Sequence, residues 1–410
     1  MTATAAGGGE RRSMNMSAKP DHVPGDRVLD VNIFDLPGAA ENAHLAWKAL
    51  SGTHPLLWTP HHGGHWIATS GELIEKIYGS PALFSNREVG IPAKKFLVEM
   101  LPIQRDGDQH KAFRALIEPA LRPAAVQRYG VQARQLAIRI IEDLLPRGKC
   151  EFVADFSLVM PLSIFLSIVD LPVDDREELH ALARASSRSP TAEQRHAAFQ
   201  QIIVYLERWI AKRRAEPGDD LLSTIIHSHV DGRPLTHTEV LGMSVLLLFA
   251  GLDTVASMMA FVMRYLADHP EHRRWIIENP QQVSFAVEEL MRRHGVANNV
   301  RTVVQDVELD GVLLRAGDLI VAPNCLHGLD EQQFAHADEV DFSRRPTATG
   351  TFGWGPHRCA GANLARMEMR ILLEEWLKRI PDFEVDPAKA VVQQTGTVNG
   401  VLQLPLRWAA

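Results

Sequence analysis

Phe352-Gly-Trp-Gly-Pro-His-Arg-Cys-Ala-Gly361 is the stretch on which the reading of this chain turns. Gly353, Gly355 and Gly361, with Pro356 among them, crowd around a single cysteine, Cys359. Glycines at that density allow backbone conformations other residues avoid and let a flat ligand come close. Cys359 stands just before an expected helix N-terminus and beside His357 and Arg358, a setting that favours thiolate over thiol. A free cysteine is most often a small buried hydrophobe; the glycine setting argues instead for a nucleophile or a metal ligand. Zinc would ask for further ligands at short paired spacings, which the stretch does not offer. A cysteine protease would need a His base that sequence alone cannot place. One thiolate is enough as the axial ligand of haem iron.

Outward from this loop, GANLARMEMRILLEEWLKRI (361–380) predicts an amphipathic helix with Leu364, Met367, Ile371 and Leu372 on its apolar face. The preceding residues, 327–358, form a long irregular stretch of the kind that is usually functional or disordered. Asp310-Gly311 within DVELDGVLLRAGDLIVAP (306–323) predicts a hairpin, and Asn399-Gly400 within TVNGVLQLPLRW (397–408) reads as a second one. From about 107 to 300 the pattern is mostly helical, with helices expected over 124–146 and 196–215 and a break at Gly218-Asp-Asp220. Thr236-His-Thr-Glu239 resembles a capping box opening a long apolar segment. In that segment, Ala250-Gly-Leu-Asp-Thr254 breaks helix rules. Thr254 can turn its hydroxyl to a carbonyl one turn back, and Asp253 is a candidate acid. An acid and an alcohol at a helix break suit proton delivery to a bound ligand; a kinked core helix is the alternative. Glu289-Leu-Met-Arg292 is, by itself, an ordinary i,i+3 ion pair. His110, Arg114, Arg301 and His357 would each pass for surface residues, yet together could neutralise two carboxylates of a buried group. His61-His-Gly-Gly-His-Trp66 reads as a turn rather than a metal site.

The chain has 410 residues, 46% hydrophobic and 23% charged, which describes a globular protein and by length alone suggests two or three domains. With 43 basic against 50 acidic residues the net charge is −7, so no nucleic-acid or anionic-membrane partner is expected. Three dispersed cysteines, Cys150, Cys325 and Cys359, suit a reducing cytoplasm, where the protein is expected to reside. Residues 243–263 could span a bilayer by length, but Asp253 at their centre would cost about 2.5–3.5 kcal/mol. They read as a core helix buried on all sides, and no membrane anchor is expected. Residues 1–25 read as a flexible N-terminal arm.

Taken together, Phe352–Gly361, Glu289–Arg292 and Ala250–Thr254 resemble, in order and spacing, the three signatures of the cytochrome P450 family of haem-thiolate monooxygenases. The resemblance covers residue 26 to the end. GGHWIAT (63–69), FAGLDTV (249–255), VDFSR (340–344), EEWLKRIPDF (374–383) and GVLQLPLRW (400–408) are similar to the bacterial camphor 5-monooxygenase group. The resemblance implies a mainly α fold with small β-sheets, a single triangular domain over 26–410 around a buried haem b, and a monomer. It implies Cys359 as iron ligand and His110, Arg114, Asn299, Arg301, Phe352 and His357 around the cofactor, Asn299 standing where that group has an Asp. Asp253 and Thr254 would relay protons during oxygen activation, and Glu289–Arg292 would brace the 327–358 meander. O2 and a [2Fe-2S] ferredoxin with its reductase are the implied partners, with Lys111, Arg114, Arg358 and Arg366 as the expected docking cations.

Val98 aligns with the Tyr that holds the camphor ketone, so an apolar pocket is expected from Val98, Leu101, Ile103, Leu246, Phe249, Ala250, Ala297, Thr397 and Val398. Such a pocket holds its ligand by shape and burial. It points to a small terpenoid or norisoprenoid other than camphor, ionone-like or a terpene alcohol. A peroxide-driven peroxygenase, a haem- or terpenoid-binding protein without turnover, and a thiol redox enzyme without haem are the rival readings.

Overall fold

Local signals start most of the principal helices. In the computed structural model, which describes residues 16–93, 97–188, 191–345 and 349–409, Ser70 Oγ accepts the Leu73 N–H and opens helix α1, Gly71–Gly79. Asp106 precedes α2, Gly107–Leu121, and Pro123 opens α3, Pro123–Leu144. Proline suits that first turn because its missing N–H would be unpaired anyway. Capping boxes start α4, Ala192–Ala215, from Thr191 and α5, His237–Leu252, from Thr236. Each box satisfies two of the helix's unpaired donors. Then come α6, Thr254–Asp268, α7, Val283–Arg293, and α8, Ala362–Arg379. The chain turns at Asp220, which caps a short helix, Leu221–Ile226.

The strands are few and short. Those used below are β1, Leu56–Thr59; β2, His65–Ala68; β3, Phe84–Ser85; β4, Asn298–Val303; β5, Val307–Leu309; β6, Val312–Leu314; β7, Leu319–Pro323; β8, Val392–Gln394; and β9, Gly400–Gln403. The main sheet runs β1-β2-β7-β4-β3, with β7 parallel to β2 and the other pairs antiparallel. It encloses one apolar core around Trp47, Trp66 and Ile320, while α3, α5, α6, α7 and α8 contribute to a second, larger one. The fold is mainly helical with small sheets, as expected.

Asp310 and Gly311 take φ of 51° and 68° and turn β5 into β6, the hairpin expected there. His61–Gly64 likewise turn β1 into β2. The second expected hairpin turn is wrong. Gly400 begins β9 and pairs with Gln394, so the loop is 395–399. Asn399 is fully buried and its Oδ1 accepts from Trp47 Nε1 at 2.8 Å and Asn298 Nδ2 at 3.0 Å. A dipeptide that usually turns in water here serves a core network.

The apolar segment breaks where expected, into two helices at Asp253, where φ is −117°, but its burial differs from expectation. It is not buried on all sides: Leu246, Phe249, Asp253 and Thr254 are half-buried and Ala250 is exposed, along one stripe. Residues 237–268 are long and apolar enough to cross a membrane, and 61% of their most apolar window is buried within the protein. Of the expected N-terminal arm, residues 1–15 lie outside the described part. Ser17 N–H donates to Pro60 O at 2.8 Å, and Val23 is buried.

The Glu289–Arg292 pair is wholly buried, with two parallel hydrogen bonds of 2.8 Å. Arg292 also donates to the carbonyls of Gly328, Ala337 and Glu339, and Glu289 accepts from Asp341 N–H and Arg344 Nε. One ion pair thereby fastens the irregular chain that leads to the cysteine loop.

Candidate functional site

The cysteine loop is shaped by glycine. Gly353 and Gly355 take φ of 69° and 65°, and a β-carbon on Gly355 would lie 2.9 Å from Tyr78 O. Both the left-handed backbone and the close packing on α1 exclude other residues there. Cys359 N–H donates to Phe352 O at 2.9 Å, closing the loop. Cys359 keeps accessible surface of its own although protein atoms crowd around it.

Burial raises the Cys359 thiol above its ordinary value, and this outweighs the Gly361 N–H and the charges of Arg114, Arg358 and Arg366, which pull it down. His357 is turned away: its Nε2 donates to Asp106 Oδ1 at 2.9 Å. A cation bound at the sulfur would supply what the neighbours do not, because a metal-bound thiol is deprotonated.

Around the loop lie buried basic groups, His110 among them with a ring nitrogen left unpaired. Arg301, 3% exposed, makes one hydrogen bond, to Val300 O at 2.8 Å, and sits 4.6 Å over the Tyr78 ring. Burial lowers its pKa, outweighing the Tyr78 and Asp106 charges, which raise it. His110, 2% exposed, leaves Nδ1 without a partner, and its ring stands 4.0 Å from that of His357. Burial, then the charges of His357 and Arg114, bring His110 down to about 4. Arg114 is committed to Glu118 at 3.0 Å and to Arg358 O at 2.6 Å. Asn299 gives its amide N–H to Tyr78 Oη at 2.9 Å. Phe352 lies under the Arg366 guanidinium at 4.6 Å. Buried donors of this kind call for an anion. An accessible thiol together with an unpaired buried guanidinium and imidazole fits haem b, a flat group bearing two carboxylates and an iron that takes a thiolate.

The accessible stripe of α5 and α6 carries the polar groups of the break. Thr254 Oγ donates to Ala250 O at 3.3 Å, bending back across the break. Segments 296–299 and 397–399 meet beside it: Ala297 bridges Val398, and Asn298 N–H donates to Thr397 O at 2.8 Å. Ile103, Leu246, Phe249 and Val398 are half-buried at the edge of the helical core, and Ala297 and Thr397 are half-buried too. Val98 and Leu101 are buried in the helical core; Lys94–Phe96 of the same segment lie outside the described residues.

Several residues at the site escaped the sequence reading. Phe199 of α4 stacks on Phe249 at 5.8 Å; periodicity over 196–215 placed it on a helix but did not name this neighbour. Asp106 takes hydrogen bonds from His357 and from Ser85 at 2.5 Å. Burial alone would raise the Asp106 carboxyl, but these bonds and the His357 charge hold it below the usual range. Its place before a helix was the available signal. Tyr78, which joins Asn299, Ala322 O and Asn324, had none. Among the described residues no cluster of His, Cys, Asp and Glu suits a further metal, His61–His65 included.

The family model described as cytochrome P450 matches residues 185–285 and 283–407. The chain is 30% identical over 410 residues to a probable cytochrome P450 127A1 of Sinorhizobium fredii, covering 97% of this chain and 99% of that one. It is 32% identical over 308 residues to 20-oxo-5-O-mycaminosyltylactone 23-monooxygenase of Streptomyces fradiae, 74% of this chain and 73% of the other. The crystal structure of cytochrome P450 CYP101C1 superposes with a TM-score of 0.89 and 40% identity, over 96% of this chain and all of that one.

Proposed function

The chain belongs to the cytochrome P450 family, and from that premise we propose that it hydroxylates a small apolar terpenoid or norisoprenoid, ionone-like or a terpene alcohol. It is a haem b monooxygenase. When bound, haem b would supply an iron able to activate O2. Cys359 would hold that iron, and Arg301, His110 and Arg114, with His357 held by Asp106, would hold its carboxylates. Thr254 holds a proton on Oγ beside the helix break and, with Asp253, moves protons toward the reacting centre. Leu246, Phe249, Ala250, Ala297, Thr397 and Val398 bind the substrate and exclude water, with no phenol at position 98 to anchor a ketone.

The observation that carries the reading is the stripe Leu246–Phe249–Ala250–Asp253–Thr254, apolar at one end and polar at the helix break, beside the buried face of α5 and α6. Electrons come, in this reading, from a [2Fe-2S] ferredoxin and its reductase, and the enzyme acts as a cytoplasmic monomer. Of the docking cations, Arg366 is paired with Glu288, Lys111 with Asp108 and Arg114 with Glu118, the last two at 3.0 Å, so Arg358, exposed and without an ion pair among the described residues, is the strongest remaining contact. Retention of both Asp253 and Thr254 favours O2 over peroxide as oxidant.

The test is a spin-state titration of the haem-loaded protein with ionones, terpene alcohols and camphor, followed by turnover with a [2Fe-2S] ferredoxin system. Ionones are expected to bind tighter than camphor and to be hydroxylated at a rate that falls as salt rises. Tighter camphor binding overturns the substrate; turnover with peroxide but none with ferredoxin overturns the electron donor. A ferrous carbonyl spectrum without the long-wavelength Soret band of thiolate ligation removes Cys359 from its role.

A further inference from the structure

Helix α5 carries a glycine at 242, one turn before Leu246, although glycine is the poorest interior helix former after proline. A β-carbon there would lie 2.2 Å from the Glu99 carbonyl oxygen and 3.5 Å from a Val98 γ-carbon. The first distance is far inside contact and involves main chain, so no rotamer change relieves it. The segment 97–104 therefore rests on bare helix backbone. That segment is braced as a unit. Gln104 N–H donates to Met100 O at 3.1 Å, Met100 N–H to Gln104 Oε1 at 2.8 Å, and Gln104 Nε2 to Arg87 O at 2.9 Å. Its inner face is Val98, Met100 and Leu101, all buried. A push at Glu99 thus moves the face as one body.

We propose that Gly242 is a specificity-determining position. Its missing side chain lets the 97–104 segment seat against α5, and that seat closes the neighbouring pocket down to compact substrates. The proposal rests on reading the Leu246–Thr254 stripe as the substrate pocket. An added methyl group lifts the segment by about 1 Å, opening the space over Leu246.

The experiment compares wild type, Gly242→Ala and Val98→Ala as haem-loaded proteins. Amide hydrogen exchange in 97–104 is followed together with spin-state titration by an ionone, a sesquiterpene alcohol and a steroid. Gly242→Ala is expected to speed exchange in 97–104 at least tenfold, to weaken ionone binding at least fivefold, and to tighten binding of the bulkier ligands. Val98→Ala widens the pocket but leaves the exchange as in wild type. Unchanged exchange and an unchanged size ranking in Gly242→Ala overturn the proposal. Should that variant fail to fold, Val98→Phe decides. Its larger side chain presses on the bare backbone at Gly242, so it is expected to speed exchange in 97–104 and raise the largest ligand accepted, whereas unchanged exchange and an unchanged size ranking overturn the proposal. A wild type that ignores ionones while Gly242→Ala still shifts exchange and ranking among steroids refutes the terpenoid reading and leaves Gly242 in its role.

Discussion

Glu289 and Glu368 are carboxylates on two helices that pack together, α7 and α8, and both are removed from water. Glu289 is saturated: Arg292 grips both oxygens, and Asp341 N–H and Arg344 add to them. Glu368 has no hydrogen-bond partner on either oxygen, and burial pushes its carboxyl up to about 8. The difference teaches how this fold uses charge. Where a long irregular segment has to be fastened, a buried ion pair is fully satisfied. Where only helix packing is required, an acid is carried as a neutral group. Replacing one partner of a satisfied buried pair strands the other, whereas removing an orphan relieves the fold.

The largest effect is expected at the satisfied pair. Arg292→Met leaves Glu289 buried without its main partner and strips a donor from the Gly328, Ala337 and Glu339 carbonyls. A loss of about 3–5 kcal/mol in urea unfolding is expected; a loss below about 1 kcal/mol would erase the contrast with Glu368. Next comes the orphan. The Glu368 carboxyl keeps its proton in the fold up to about 8, while the unfolded chain releases it near the ordinary 4.5. Stability should therefore fall between those two values, by up to roughly 1.4 kcal/mol per pH unit, and level off above them. Glu368→Met should flatten that decline and exceed wild type by about 2 kcal/mol or more at pH 9. Equal stabilities across the range would show that Glu368 is not held neutral. The smallest effect belongs to the rim. Arg344 reaches Glu289 from a partly exposed position at 3.2 Å, so Arg344→Ala should cost about 0.5–1 kcal/mol and less in high salt.

What was legible in the chain was what depends on near neighbours. The capping box at Thr236, the Asp310-Gly311 turn and the glycine-framed loop around Cys359 are each set within a few residues, and each formed as expected. Asn399-Gly400 carries the same local signal as Asp310-Gly311. It went astray because Trp47 and Asn298, distant in sequence, claim the Asn399 amide. The surroundings of Cys359 were legible only in part. Neighbouring cations are visible in sequence, but the burial that outweighs them is not. Glu368 has the same history: an acid on an amphipathic helix ordinarily faces water, and only the packing of α8 between other helices hides it. The substrate side was least legible, since Phe199 reaches Phe249 from a helix about 50 positions away, and periodicity assigns faces, not neighbours.

The meander held by Arg292 bears on the order in which the molecule is assembled. Its three carbonyl anchors lie 36, 45 and 47 residues from the guanidinium that fastens them. Closing loops of that length is paid in chain entropy before any contact returns it, so such segments lock late. The helical body can collapse on local contacts while the ribbon bearing Cys359 is still loose. A prosthetic group would then be clasped at the end of folding, by a strap drawn tight over it.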